Sequence, residues 1–389
     1  MLAQPSDRRT AIAILVSVAV IGLATRMYVA SMGHNYDLDS WKIASNLMQE
    51  GKNVYANTHR YQYGPVWFLI LVPLQRMHDS LGLARLGPES FHIVIAGFLS
   101  LVDLAVAGCL LKRWGREQAI FFFLNPISIL LTGFHSQIDT LAILPGLVGW
   151  MVLRSAGGAT SWPRVVLAGV LVGLSITTKH VLVFLPVWLI FAPAFLRPLS
   201  KRLVFAAIAF GTAVASFVPF ISAPGAWEGV KAYVIGYSGN GTYYALLPRL
   251  LEAVVPLHYI RQVFPAGFPS PQTIVFVILM LLTGLLVASR RPAELFERYL
   301  CALVLWAPSL ADQYLAIPLV SCAIFSRRWS SWGYTVVGTL VLVGSAFNIG
   351  SVKGWNTPFT LIHVQIWTAI LLFGGLGIIN WRREPSPAS

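Results

Sequence analysis

The sequence predicts an all-α polytopic membrane protein, a bundle of about twelve transmembrane helices whose first outer loop carries juxtamembrane helices. Three observations carry this. The 389 residues are 56% hydrophobic and only 11% charged, whereas a soluble domain carries about 25% charged residues. Mean hydropathy is +0.69. Finally, apolar runs alternate with short turns, and every second turn is basic.

The apolar runs fall at about 10–30, 91–111, 119–134, 138–153, 165–178, 180–196, 203–221, 273–289, 299–311, 313–326, 332–348 and 360–380. A helix crossing the bilayer needs ~20 residues. Several runs are shorter, which predicts tilted, broken or protein-buried helices among them. Asn125-Pro126 predicts a kink in the third run. The run 65–77 (PVWFLILVPLQRM) is ~20 Å of helix, too short to cross, and is expected to lie in the interface or re-enter. Two outer segments are long, about 31–90 and 222–272, and the second is rich in Gly, Pro and aromatics. With no internal repeat and no soluble module, residues 1–389 read as one integral membrane domain.

Charge fixes an expected orientation. With the N-terminus inside and the sides alternating, seventeen of the 28 basic residues fall on the cytoplasmic side. They are Arg8, Arg9, Lys112, Arg113, Arg116, Arg154, Arg164, Arg197, Lys201, Arg202, Arg290, Arg291, Arg298, Arg327, Arg328, Arg382 and Arg383. Both termini are then cytoplasmic, and the host membrane is the inner membrane of a bacterium or the endoplasmic reticulum of a eukaryote. This bias accounts for the net charge of +13 without invoking nucleic acid, since no basic patch interleaves with exposed aromatics. The first run follows Arg8 and Arg9 as a signal peptide would. Arg26 interrupts a signal-like end, and loss of the segment would upset the helix parity, so an uncleaved first helix is expected. Cys109, Cys301 and Cys322 lie in apolar runs without metal or disulfide spacing.

Polar residues gather in the turns of the other side. Asp37 and Asp39 follow the first run. His135, Gln137 and Asp139 (GFHSQIDT) fill one hairpin, Lys179 and His180 (TTKH) a second, and Asp312, Gln313 and Tyr314 (ADQY) a third. Charged groups at membrane depth are functional candidates by default. A charge at a helix end can also merely mark the interface. Asp103, inside the second run, is expected to pair with a cation or bond a backbone group. Asp37 and Asp39 at i, i+2 point about 200° apart on a helix, although in a loop they could jointly hold a metal. One carboxylate could serve as a general base.

These residues resemble the catalytic subunit of GPI mannosyltransferase I and, more broadly, the GT-C superfamily of polyprenyl-phosphate-sugar glycosyltransferases. DLDSWKIASNLMQEGKNVYANTHRYQYGPVW is similar to that family's first outer loop. FHIVIAGFLSLVDLAVAGCLLKRWGREQAIFFFLNPISILLTGFHSQIDTLAILPG carries an Asp in the second helix, a basic turn, an Asn-Pro and a polar hairpin. GLSITTKHVLVFLPVW and ADQYLAIPL complete the series over roughly residues 37–320. The chain departs from the pattern at His135-Ser136-Gln137-Ile138-Asp139, where the family reads Arg-Gly-Asn-Ala-Asp. It departs again at His180-Val181, where the family reads Tyr-Pro.

The resemblance implies a GT-C-like bundle and an inverting sugar transfer, with mannose the expected sugar, from a polyprenyl-phosphate donor to a lipid or glycan hydroxyl. Asp37 is the expected base and Asp39 the runner-up. Lys179, His180, Arg249 and Arg261 are candidates for the donor phosphate. Arg60, Tyr63, His135, Gln137, Asp139 and Gln313 are candidates for sugar or acceptor hydroxyls. A divalent metal is compatible with this set, and the eukaryotic family works with a partner subunit. The competing classes are a secondary transporter, which would place its polar residues near the midplane of paired halves, and a lipid-linked glycan ligase or polymerase.

Overall fold

The computed structural model describes residues 5–154, 160–236, 245–254, 271–346, 359–374 and 376. Among them the chain is all-helical and forms no strand. Four helices are long and apolar enough to cross a membrane. They lie within α1 (Pro5–Ser31), α5 (Ser90–Arg113), α11 (Leu199–Ile221) and α14 (Pro271–Arg290). The remaining expected crossings are shorter or divided. The run 119–134 is split into α6 (Arg116–Phe123) and α7 (Pro126–Gly133). The break lies at Asn125, whose extended backbone (φ −63°, ψ 126°) suits a residue preceding proline. Its side chain accepts from the Ile127 N–H and so caps α7. The run 180–196 yields only a 3₁₀ turn and the six-residue α10 (Leu185–Ile190). The run 313–326 likewise gives a 3₁₀ turn, Asp312–Ala316, and α16 (Leu319–Ile324).

The long segment after the first run folds into α2 (Asp37–Gln49), α3 (Val54–Asn57) and α4 (Pro65–Ser80). These short helices rest on their own aromatic core, in which Trp41, Tyr55, Tyr61, Tyr63, Trp67 and Phe68 are buried against Phe91 and Ile138. Trp41 meets Tyr63 and Trp67 with ring centroids 5.4 and 5.7 Å apart, within the range of favourable edge and tilted contacts. Tyr55 Oη donates to the Tyr63 carbonyl at 3.0 Å, and Tyr61 Oη to the Gly64 carbonyl at 2.7 Å. Gly64 is needed here because a Cβ would lie 1.6 Å from the Thr177 carbonyl oxygen. The loop therefore brings the Gly64 backbone directly against the end of α9 (Trp162–Thr178).

The larger core is built by α8 (Asp139–Arg154), α9 and α11, which pack side by side. Small residues permit this approach, as is usual between membrane helices: a Cβ on Gly173 would come within 2.7 Å of the Ala209 carbonyl oxygen. The chain continues through α12 (Ala226–Gly229), α13 (Leu246–Val254), α15 (Leu295–Trp306), α17 (Trp329–Ala346) and α18 (Leu361–Phe373).

A buried ion pair ties α1 to α5. Arg26 Nη2 lies 3.1 Å from Asp103 Oδ2, and both side chains have no exposure. Ser128 and Thr132 of α7 donate to the same oxygen at 3.0 and 2.7 Å. Arg26 also donates to the Phe123 carbonyl at 2.9 Å. Asp103 thus has the cation expected for it, and the partner is the arginine that breaks the signal-like end of the first run.

Turn contacts sort into two sets. Glu117 meets Arg327 at 3.1 Å, Arg154 meets Glu297 at 3.5 Å, and Lys201 Nζ donates to the Thr160 carbonyl at 2.5 Å. These join the basic turns to one another. The polar hairpins join one another at the opposite ends of α8 and α9, ~24 Å of helix away.

Candidate active site

The hairpin between α7 and α8 supplies the centre of the site. His135 N–H donates to the Leu130 carbonyl and Gln137 N–H to the Leu131 carbonyl, at 3.2 and 3.0 Å, closing the end of α7. Ser136 sits between them with φ +50°, in the left-handed region, and is the one non-glycine residue there among the described residues. Such a conformation costs on the order of 1–3 kcal/mol and tends to cluster at functional sites. Its effect is to keep His135, Gln137 and Asp139 on one buried patch.

Asp37 reaches this patch from α2. Gln137 Nε2 donates to Asp37 Oδ2 at 2.6 Å. Asn35 Oδ1 accepts from the Asp37 backbone N–H at 3.1 Å, which orients the amide so that Nδ2 faces His135 Nδ1 at 3.0 Å. His135 Nδ1 is then an acceptor, and the ring is neutral with its proton on Nε2. Burial lowers the His135 pKa below the ordinary imidazole range, against the opposing pull of Asp312 and Asp37.

Lys179 comes from the end of α9. Its Nζ lies 2.8 Å from both Asp139 oxygens. The ammonium also faces the rings of Tyr63 and Tyr314 at 5.4 and 5.2 Å, within cation–π reach. A buried pair of this kind persists because removing either member strands the other charge. Asp312 and Gln313 precede Tyr314 and are half-buried. Asp312 accepts from Ser345 Oγ.

Five separate segments therefore meet: 35–37, 63, 135–139, 179 and 312–314. Arg60 stands at the rim, its guanidinium 3.7 Å from the centre of the Tyr36 ring and bonded to the Tyr36 carbonyl at 3.0 Å. The patch holds polar atoms with no partner among the described residues: His135 Nε2, Ser136 Oγ, Gln137 Oε1 and Thr140 Oγ1. Buried groups of this kind are ordinarily satisfied, and each one left open costs about 1–3 kcal/mol. A hydroxyl-rich ligand would satisfy them.

Other candidates lie elsewhere. Asp39 is exposed on α2 and makes no side-chain bond among the described residues. The α2 dipole alone accounts for an acid in its first turn. Because both acids lie in a helix rather than a loop, they diverge and do not form a shared cation site. The side chain of His180 is exposed and makes no hydrogen bond among the described residues. Arg249 is exposed on α13, a helix held to α18 by the Leu246 N–H donating to Gln365 Oε1 at 2.6 Å. Arg261 lies outside the described residues. Asn35 and Ser136 carry no sequence signal of their own, since their roles arise from one backbone bond and one dihedral angle.

A separate cavity of about 500 Å³ opens between α2, α4 and the start of α5, lined by Lys42, Asn46, Gln75, His78, Asp79 and Ser90. It shares no lining residue with the buried patch. The patch is the better candidate because it gathers four unmatched buried polar atoms, whereas the cavity lining has one, Gln75 Oε1. No protein-family model, curated protein or solved structure matches this chain.

Proposed function

We propose that this chain is a membrane glycosyltransferase of the GT-C type. It would move a hexose, with mannose the expected sugar, from a polyprenyl-phosphate donor to an acceptor hydroxyl on the non-cytoplasmic face. The observation that carries the reading is the 2.6 Å bond from Gln137 to Asp37 beside the Asp139–Lys179 pair. A half-buried carboxylate, a buried cation and open hydroxyl-binding atoms are the parts such a transfer needs.

In this reading Asp37 accepts the proton of the acceptor hydroxyl as its oxygen attacks the anomeric carbon. The bond from that carbon to the phosphate oxygen breaks, the electron pair leaves with the phosphate, and the product is inverted. The transition state is oxocarbenium-like. Lys179 stabilises the charge developing on the departing phosphate, worth most in a water-poor site. Gln137 holds Asp37 in place. His135 Nε2–H, Ser136 and Thr140 bind sugar or acceptor hydroxyls. No step requires a metal across Asp37 and Asp39, whose side chains diverge.

The test is transfer of labelled mannose from polyprenyl-phosphate mannose by the purified chain against a panel of lipid and glycan acceptors. Asp37→Asn is expected to lower transfer at least 10²-fold, in the range of general-base loss, without lowering thermal stability. Asp39→Asn is expected to leave most activity. Unchanged transfer in Asp37→Asn removes the proposed base. Saturable uptake of a solute into vesicles, with no covalent product, would favour a transporter.

A further inference from the structure

A second polar constellation lies outside the proposed transfer chemistry and does not depend on it. His34 sits in the link between α1 and α2, Glu89 just before α5, and His92 in the first turn of α5. One ligand atom from each lies within 4.8 Å of the other two. His34 Nδ1 is 2.7 Å from Glu89 Oε2, and His92 Nδ1 is 3.6 Å from the same oxygen. The two imidazoles meet edge-on with centroids 5.6 Å apart.

His92 is the informative member. Its side chain has no exposure, and neither ring nitrogen has a hydrogen-bond partner. A fully buried imidazole whose nearest polar neighbours are a backbone carbonyl and, at 3.6 Å, a carboxylate is an expensive arrangement for packing alone. The Ala30 carbonyl lies beside the same ring. A metal-bound histidine commonly turns its second N–H toward such a backbone oxygen.

We propose that His34, Glu89 and His92 form a transition-metal site of the zinc class. Two imidazoles and one carboxylate are a known ligand set for zinc, with the fourth position left to water. Bonds of ~2.0–2.2 Å at tetrahedral angles put ligand atoms roughly 3.3–3.5 Å apart. The two spacings given above straddle that value, and the third, between the two imidazoles, is within 4.8 Å, so side-chain adjustment of the half-buried His34 would close the set. One carboxylate leaves a bound dication with a single net positive charge, which the neighbouring cation Lys42 opposes and the solvent-facing fourth position offsets. His34 and Glu89 side chains are 24% and 30% exposed, which gives an ion its way in. The bound ion would pin the α1–α2 link to α5 three residues before Asp37, making it a positioning site.

The experiment uses the full-length chain in detergent with any affinity tag removed. Zinc is titrated by equilibrium dialysis with elemental analysis, and Co²⁺ is titrated by visible absorption. The expected result is one ion per chain at micromolar free metal, with the intense absorption of four-coordinate Co²⁺ and a rise in Tm. His34→Ala and Glu89→Gln, both at half-exposed positions, are expected to weaken binding at least 10-fold and abolish the Tm rise. His59→Ala, at an exposed histidine elsewhere, is expected to change neither. Absence of stoichiometric binding at tens of micromolar metal, or equal affinity in the wild type and both variants, overturns the site.

Discussion

At the scale of single residues, His135 is the most telling. Its neutral form is enforced by an amide donating to Nδ1 and by burial. A depressed folded pKa means that the unfolded chain takes up a proton before the folded chain does. Stability contributed by this group is therefore full above about pH 6.5, the ordinary imidazole value. It declines as pH falls through that value toward the lower folded pKa. Between pH 7.5 and 5.5 the wild type should lose more Tm than His135→Gln, which keeps hydrogen-bonding atoms but does not titrate. Parallel pH–Tm curves for the two proteins would contradict this. Ser136 shows why such detail escapes a sequence. Its left-handed φ is set by the two backbone bonds closing α7, and no residue-type signal marks it, since serine rarely occupies that region. The convergence of Asp37 with Gln137 and Asp139 was legible, because tight polar hairpins on one side of a bundle leave their side chains few places to go.

At the scale of elements, a buried ion pair and its hydrogen bonds join α1, α5 and α7. Arg26 fills its bonds with Asp103, Ser128 and two backbone carbonyls. Arg26→Ala leaves the Asp103 carboxylate buried without its cation, a change worth about 3–5 kcal/mol. The double variant Arg26→Leu with Asp103→Leu removes both charges and should recover most of that loss. Thermal unfolding in a fixed detergent measures both, and equal losses in the single and double variants would show that the pair does not couple. The sequence pointed to a cation for Asp103 but not to Arg26, which lies 77 positions away. Element boundaries were legible where chemistry marks them, as at Asn125-Pro126. They were not legible in 180–196 or 313–326, where mostly apolar residues carry no periodic signal and packing decides where helix ends.

At the scale of the whole molecule, the two sets of turn contacts argue for a chain with two chemically distinct ends. Arginines and lysines meet glutamates and carbonyls at one end. Asp, His, Gln and Tyr meet at the other. Helices α8 and α9 run between these ends, so the turns before and after each lie at opposite ends of the bundle. On the positive-inside bias the basic end is expected to face the cytoplasm. This can be tested with single cysteines at exposed positions: Lys52→Cys beside the acidic end and Arg327→Cys at the basic end. The native cysteines give little background, since Cys301 and Cys322 are buried and Cys109 is half-buried. A membrane-impermeant maleimide added to intact cells should label the cysteine at 52 and spare the one at 327 until the membrane is permeabilised. Labelling of both before permeabilisation would break the two-ended arrangement. Labelling of 327 alone would invert it and place the Asp37 patch in the cytoplasm, where a donor presented at the opposite leaflet could not reach it.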